Sequence, residues 1–149
     1  MPSRTKSIQR KKTTAHTGGC LCGAVRFRAR GVPAGVAHCH CSACRKAAGA
    51  PFVTFARFPI ERIAFTKGKP KWRRSSAKAR RGSCAKCGSQ LAFQFFAHPE
   101  RMSLAVGCFD RPERVKPERH IFVESKLPWL VITDGLPRHR RGYVAPRSG

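Results

Sequence analysis

Apolar residues along the chain recur at every second position in short runs, and each run ends in glycine, proline or a cluster of charge. From Cys22 to Arg30, Val25 and Phe27 fall on one face and Arg26 and Arg28 on the other, the period-two signature of a half-buried strand. Residues 31–35, rich in glycine and proline, read as a turn. A short strand is expected over Val36–Cys39 and a single helical turn over Arg45–Ala48. Pro51–Phe58 and Arg62–Phe65 read as strands, and Gln90–Phe96 and Met102–Val106 as strands flanking a His98-Pro99 turn. Residues 110–118 hold two prolines and form a loop, His120–Glu124 is a last short strand, and a closing segment begins at Pro128-Trp129-Leu130. No run has helical period over any length. The pattern predicts a mainly β single domain of many short strands, with few or no helices.

The ends carry a different pattern. Residues 1–17 are expected to be a basic disordered arm, 18–139 the folded domain and 140–149 a basic tail. The arm has no apolar run, so it does not read as a secretory signal, and the longest apolar stretches are only strand-length. No membrane span is expected, and the reading is cytoplasmic. Charge complicates the picture: 31 Lys and Arg stand against 7 Asp and Glu in 149 residues, a formal +24. Segment 67–81 alone has eight basic residues and no acid, with Trp72 among Lys69, Lys71, Arg73 and Arg74. It reads as an exposed loop or hairpin, and its composition admits weak, salt-sensitive nucleic-acid contact as a competing function.

The cysteines narrow the choice. Eight are present, and seven fall into Cys20-x-Cys22, Cys39-x-Cys41-x₂-Cys44 and Cys84-x₂-Cys87. Two cysteines one residue apart can hardly bridge each other, but both can face one metal, and a reducing compartment keeps thiols free. Cys84-x₂-Cys87 followed by Gly88 is a zinc knuckle, half of a tetrahedral site. Pairing it with Cys20 and Cys22 completes a structural Cys₄ zinc and closes a long loop. Cys39, Cys41 and Cys44 are then left as a three-thiolate site with an open position, the arrangement of catalytic rather than structural zinc. His38, His40 or Cys108 stand as alternative fourth ligands that would close it and leave a scaffold with two purely structural zincs. His40, between two ligands, should point away from a metal that both neighbours hold. Cys108, at the end of an apolar strand, reads as a buried thiol. Seven thiolates and two Zn²⁺ together contribute about −3, leaving a strongly basic protein.

Three stretches also resemble a known family: Gly19-Cys20-Leu21-Cys22-Gly23-Ala24-Val25-Arg26-Phe27, His38-Cys39-His40-Cys41-Ser42-Ala43-Cys44-Arg45, and Cys84-Ala85-Lys86-Cys87-Gly88-Ser89 with Leu91. With His120-Ile121-Phe122-Val123-Glu124, Leu127-Pro128-Trp129 and Asp134-Gly135-Leu136-Pro137, they are similar to the glutathione-dependent formaldehyde-activating (GFA) family, which includes centromere-protein-V-like proteins. The resemblance runs from about residue 18 to 139. It implies an Mss4-like β-fold around two zinc ions, a structural one on Cys20, Cys22, Cys84 and Cys87 and a reactive one on Cys39, Cys41 and Cys44. It also implies glutathione or a related small thiol as partner, and a carbon–sulfur lyase activity that joins formaldehyde to glutathione as S-hydroxymethylglutathione. Arg45 and Lys46 are then candidates for glutathione's carboxylates, and His38 and His40 for proton delivery. The family's usual Leu-Asp after the glycine near 107 is replaced here by Gly107-Cys108-Phe109-Asp110.

Overall fold

The computed structural model describes residues 14–143. Among them are ten strands in two sheets and one α-helix. Strands β1 (Ala15–Gly19), β2 (Arg26–Arg30) and β5 (Ile63–Lys67) form an antiparallel three-stranded sheet. The second sheet holds seven strands. From one edge they are β10 (Arg119–Ile121), β3 (Gly35–Cys39), β4 (Val53–Pro59), β9 (Arg101–Ala105), β8 (Gln90–Phe95), β7 (Ala79–Ser83) and β6 (Lys71–Arg74). All pairs are antiparallel except β10 with β3.

The alternation in the sequence becomes the inner face of the β2 strand, where Phe27 and Ala29 are buried and Arg28 and Arg30 exposed. These pack in one core with Val36, Ala56, Phe58, Leu91, Ala92, Met102 and Leu104 from the larger sheet. Phe109 joins them, its ring edge-on to Phe27 at 5.1 Å. A smaller cluster of Cys39, Cys44 and Val53, flanked by Cys41, Phe55, Ile121 and Phe122, sits around the end of the β3 strand. No described helix is long and apolar enough to cross a membrane.

Several boundaries differ from the expected ones. The β1 strand begins at Ala15, inside the segment expected as an arm, because it pairs residue for residue with β2 from Arg30 to Arg26. Residues 22–25, expected as the start of the strand, belong instead to the turn between the two, closed by Cys20 N donating to Val25 O at 3.0 Å. The helical turn is α1 (Ser42–Ala48), capped by the Cys41 sulfur, which accepts from Cys44 N at 3.3 Å, and ended by Gly49 in the left-handed region. The last strand stops at Ile121 because Phe122 is left-handed (φ 56°), and a 3₁₀ turn follows over Val123–Ser125. Segment 67–81 is a hairpin built into the sheet edge, with the Arg80 guanidinium 4.2 Å over Trp72 and Arg74 4.4 Å over Phe96. Arg80 therefore covers a face of Trp72 that a base would need for stacking. The remaining residues of the expected arm and tail, 1–13 and 144–149, lie outside the described residues.

Two contacts tie the small sheet to the 106–110 segment. Gly18 bridges Phe109, and a Cβ at Gly18 would lie 2.4 Å from the Cys108 carbonyl oxygen and 2.5 Å from the Phe27 ring. Gly18→Ala is therefore expected to destabilise the protein by about 1–3 kcal/mol in denaturant unfolding, as overpacking against backbone does. Asp110 accepts from Thr17 Oγ1 (2.7 Å) and from both Arg26 Nη atoms, and the Arg26 and Thr17 donors hold its carboxyl down at about 2. A depressed folded pKa stabilises above the ordinary carboxylate range and is lost as pH falls through it, here between about 4 and about 2. The pair is well exposed, so Asp110→Asn should cost less than about 1 kcal/mol at neutral pH and nothing near pH 2.

Candidate metal centres and their surroundings

Two turns with the same construction bring four sulfurs together. Cys20 and Cys22 lie in the β1–β2 turn and Cys84 and Cys87 in the β7–β8 turn. Each turn ends in a glycine at φ 76°, Gly23 and Gly88, a backbone angle that suits glycine. In each, the glycine N–H returns to the first cysteine's carbonyl, Gly23 to Cys20 at 3.2 Å and Gly88 to Cys84 at 2.9 Å. The sulfurs of Cys20, Cys22, Cys84 and Cys87 lie within 4.8 Å of one another. Two of the separations are 3.6 Å (Cys20–Cys22) and 3.8 Å (Cys22–Cys84). Ligands about 2.3 Å from a tetrahedral zinc stand about 3.8 Å apart, so this set fits that ion. Val25 N donates to the Cys20 sulfur at 3.2 Å, and Ser89 Oγ lies 3.1 Å from Cys87. The Ser89 hydroxyl and backbone N–H hold the Cys87 thiol down at about 5, ready to ligate as thiolate.

Cys39, at the end of the β3 strand, Cys41, at the helix N-cap, and Cys44, in the first turn of α1, form a second group within the same limit. Cys39 and Cys44 are buried and Cys41 half-buried. The neighbouring Cys39 and Cys44 thiols, with the Cys44 N–H, pull the Cys41 thiol down, and the crowding pushes Cys39 up. Three sulfurs this close suit a cation that each can ligate as thiolate. No further Cys, His, Asp or Glu among the described residues joins this trio.

The residues considered as fourth ligands are engaged elsewhere. Cys108 packs on the main core, donates its thiol to Gln90 O at 3.3 Å, and is pushed up to about 11 by burial. The His40 ring is fully buried, and its Nε2 lies 2.8 Å from His120 Nδ1. His120 Nε2 lies 2.8 Å from Asp134 Oδ2, and His38 Nδ1 is 2.7 Å from Thr54 Oγ1. His38, His120 and Asp134 are close enough to form a ligand set of their own, but both His120 nitrogens are already paired. Asp134 can only accept, so His120 Nε2 carries its proton; with every ring neutral, His120 Nδ1 accepts from His40 Nε2–H. Burial holds His40 down at about 4, in keeping with a neutral ring.

Arg45 and Lys46 follow Cys44 in α1 and line a shallow cleft of about 310 Å³ with Leu127 and the exposed Trp129. A second cleft of about 500 Å³ is lined by Ala47, Val53, Cys87 and Gln90. One neighbour of the trio has no counterpart in the sequence reading: Arg81 reaches back from the β7 strand, and its Nη2 lies 3.5 Å from the Cys44 sulfur. It is hidden in a run of eight basic residues, and no local pattern singles it out: Arg80 beside it is equally half-buried, and Arg73, its cross-strand partner, is exposed.

Comparison with known proteins agrees with this architecture. A crystal structure of a Rhodobacter sphaeroides protein is similar over 83% of this chain and 98% of its own, with a TM-score of 0.51 at 19% identity, a likeness of fold. Residues 15–125, which carry all seven clustered cysteines, match the family model described as glutathione-dependent formaldehyde-activating enzyme. The chain belongs to that family.

Proposed function

We propose that the protein is a zinc-dependent carbon–sulfur lyase that joins glutathione, or a closely related thiol, to formaldehyde as S-hydroxymethylglutathione. Cys20, Cys22, Cys84 and Cys87 would hold a structural zinc, and Cys39, Cys41 and Cys44 a second zinc with one position left for the thiol. The observation that carries the reading is the unequal division of the sulfurs: a set of four that is complete and a set of three to which no other ligating side chain is added. When bound at the second set, zinc supplies a Lewis acid that keeps a thiol ionised at neutral pH.

The chain's own residues account for the rest. The trio is positioned by a strand end and a helix N-cap, so its sulfurs are fixed by backbone rather than by a mobile loop. The cleft that starts at Arg45, next to Cys44 in the chain, offers two cations, Arg45 and Lys46, for the two carboxylates of glutathione, and Trp129, 66% exposed, as an apolar wall. Arg45 Nε is buried with no hydrogen-bond partner among the described residues, so a carboxylate there would satisfy an unpaired donor. His40 is held by His120, which leaves solvent or His38 to protonate the product oxygen.

Single substitutions separate the two sets. Cys84→Ser should remove one zinc per chain and leave the protein unfolded or molten at 37 °C, because it opens the link between distant turns. Cys44→Ser should remove the other zinc, abolish thiol-dependent turnover, and leave a cooperative thermal transition. Metal-to-protein ratios and calorimetry on both variants test the assignment; equal loss of stability in the two would contradict it. With cobalt in place of zinc, glutathione should change the visible spectrum of wild type but not of Cys44→Ser. Removing both charges with Arg45→Gln/Lys46→Gln should raise KM for glutathione about tenfold or more while leaving kcat within about threefold, the pattern of lost ground-state binding.

A further inference from the structure

We propose that Arg81 forms an oxyanion subsite beside Cys39, Cys41 and Cys44, which takes an oxygen carried one or two atoms from the sulfur of the bound thiol. The inference rests on the thiol-binding reading above and adds the residue that would receive the charge of the adduct.

Arg81 differs from the other cations of its hairpin. Arg80 spends its donors on Gln94 Oε1 (2.9 and 2.6 Å) and covers Trp72, while Arg74 donates to Ala77 O and covers Phe96. Those two are tied into the sheet. The guanidinium of Arg81 lies 4.8 Å over the ring of Phe93, which is itself backed by Phe55 at 6.0 Å and Phe95 at 4.8 Å. A planar cation resting on an aromatic wall has its orientation fixed before any ligand arrives. From that position Nη2 donates to the Cys44 sulfur at 3.5 Å, and Nη1 is buried without any hydrogen-bond partner among the described residues.

An unpaired buried N–H of a charged group costs more than a neutral one, about 1–3 kcal/mol or above, so it marks a place where a partner is to be supplied. The guanidinium is rigid, and Nη1 is therefore carried to within about 6 Å of the same sulfur. Attack of a thiolate on formaldehyde forms the carbon–sulfur bond while the carbonyl π pair moves onto oxygen. That oxygen is one carbon away from the attacking sulfur, and it carries the new negative charge. A donor fixed there interacts more strongly with the developing alkoxide than with the carbonyl, which lowers the barrier. Arg81 keeps its protons throughout; the alkoxide takes one from solvent, and thiol plus formaldehyde becomes the S-hydroxymethyl adduct with no atom left over. Nη2 meanwhile shares charge with the Cys44 thiolate, which orients the sulfur trio toward the same point.

Thiol binding can test this without turnover. Mercaptoacetate places an anionic oxygen two atoms from sulfur, and ethanethiol has none. On the cobalt-substituted full chain, wild type should bind mercaptoacetate about tenfold more tightly than ethanethiol, read from the visible spectrum. Arg81→Gln should bring that ratio close to one, and Arg81→Lys should keep an intermediate preference. Arg73→Gln removes the same charge from an exposed position and should keep the full ratio, which separates a subsite from the general basic field. In the zinc-loaded protein, Arg81→Gln should lower kcat about a hundredfold with KM for the thiol within about twofold. Metal content at the wild-type level shows that the variant is folded; if it is not, Arg81→Lys decides. A wild type without the preference, or an Arg81→Gln protein that retains it, overturns the subsite even where thiol binding and turnover are normal. If neither thiol alters the wild-type cobalt spectrum, the thiol-binding reading fails and the subsite fails with it.

Discussion

Crowded sulfur is the constraint around which the rest of the molecule is arranged. Four cysteine sulfurs from two turns, 62 residues apart at Cys22 and Cys84, meet at separations of 3.6 and 3.8 Å. Thiolates that close repel, and neutral thiols are weak donors that would gain little from the meeting. A divalent ion reverses the balance, and its binding energy becomes folding energy. The small sheet and the larger one are joined where those turns meet, and the core of Phe27, Phe58, Leu91 and Leu104 fills the space between them. A chain of this length with so many short strands has limited apolar area to hold it together, so a metal staple at that place has a large effect.

The second sulfur group obeys a different rule. Its three members sit within six residues of one another, so no long loop is closed by joining them. What the fold contributes is direction: a strand delivers Cys39, the helix N-cap places Cys41, and the first helical turn sets Cys44. Around them, His40, His120 and Asp134 form a hydrogen-bonded line, with His40 Nδ1 alone left without a partner among the described residues. Arg45 and Arg81 each keep a buried cationic donor with no partner among the described residues. The bonded line braces the site, and the unpaired guanidinium donors mark where an anionic group would be recognised.

Much of this was legible in the sequence, for reasons that can be stated. Strand alternation around Phe27 and the grouping of seven cysteines are local patterns, and local patterns survive folding. Residues 22–25 read as strand because Val25 continues the alternation, while the turn that holds them is set by the Cys20–Val25 backbone bond. The helix was read short because a cysteine is an uncommon N-cap, although its sulfur accepts the N–H as serine would. The last strand was read long because Phe122 gives no sign of its left-handed backbone. The contacts of Arg81 and Asp134 were beyond reach: their partners, Cys44 and His120, lie 37 and 14 residues away, and no local pattern links them.

The parallel pairing of β10 with β3 sets an order of events during synthesis. The complete four-sulfur set is available once residue 87 has left the ribosome, and most of the larger sheet soon after. The strand that ends in Cys39, however, stays an open edge until residues 119–121 emerge, since His40 N waits for the Ile121 carbonyl and its ring for His120. A nascent chain can therefore be stapled and largely folded while its three-sulfur site is still unbraced. The part of the protein that binds metal for structure matures first, and the part open to chemistry is finished last, by the segment that closes over it.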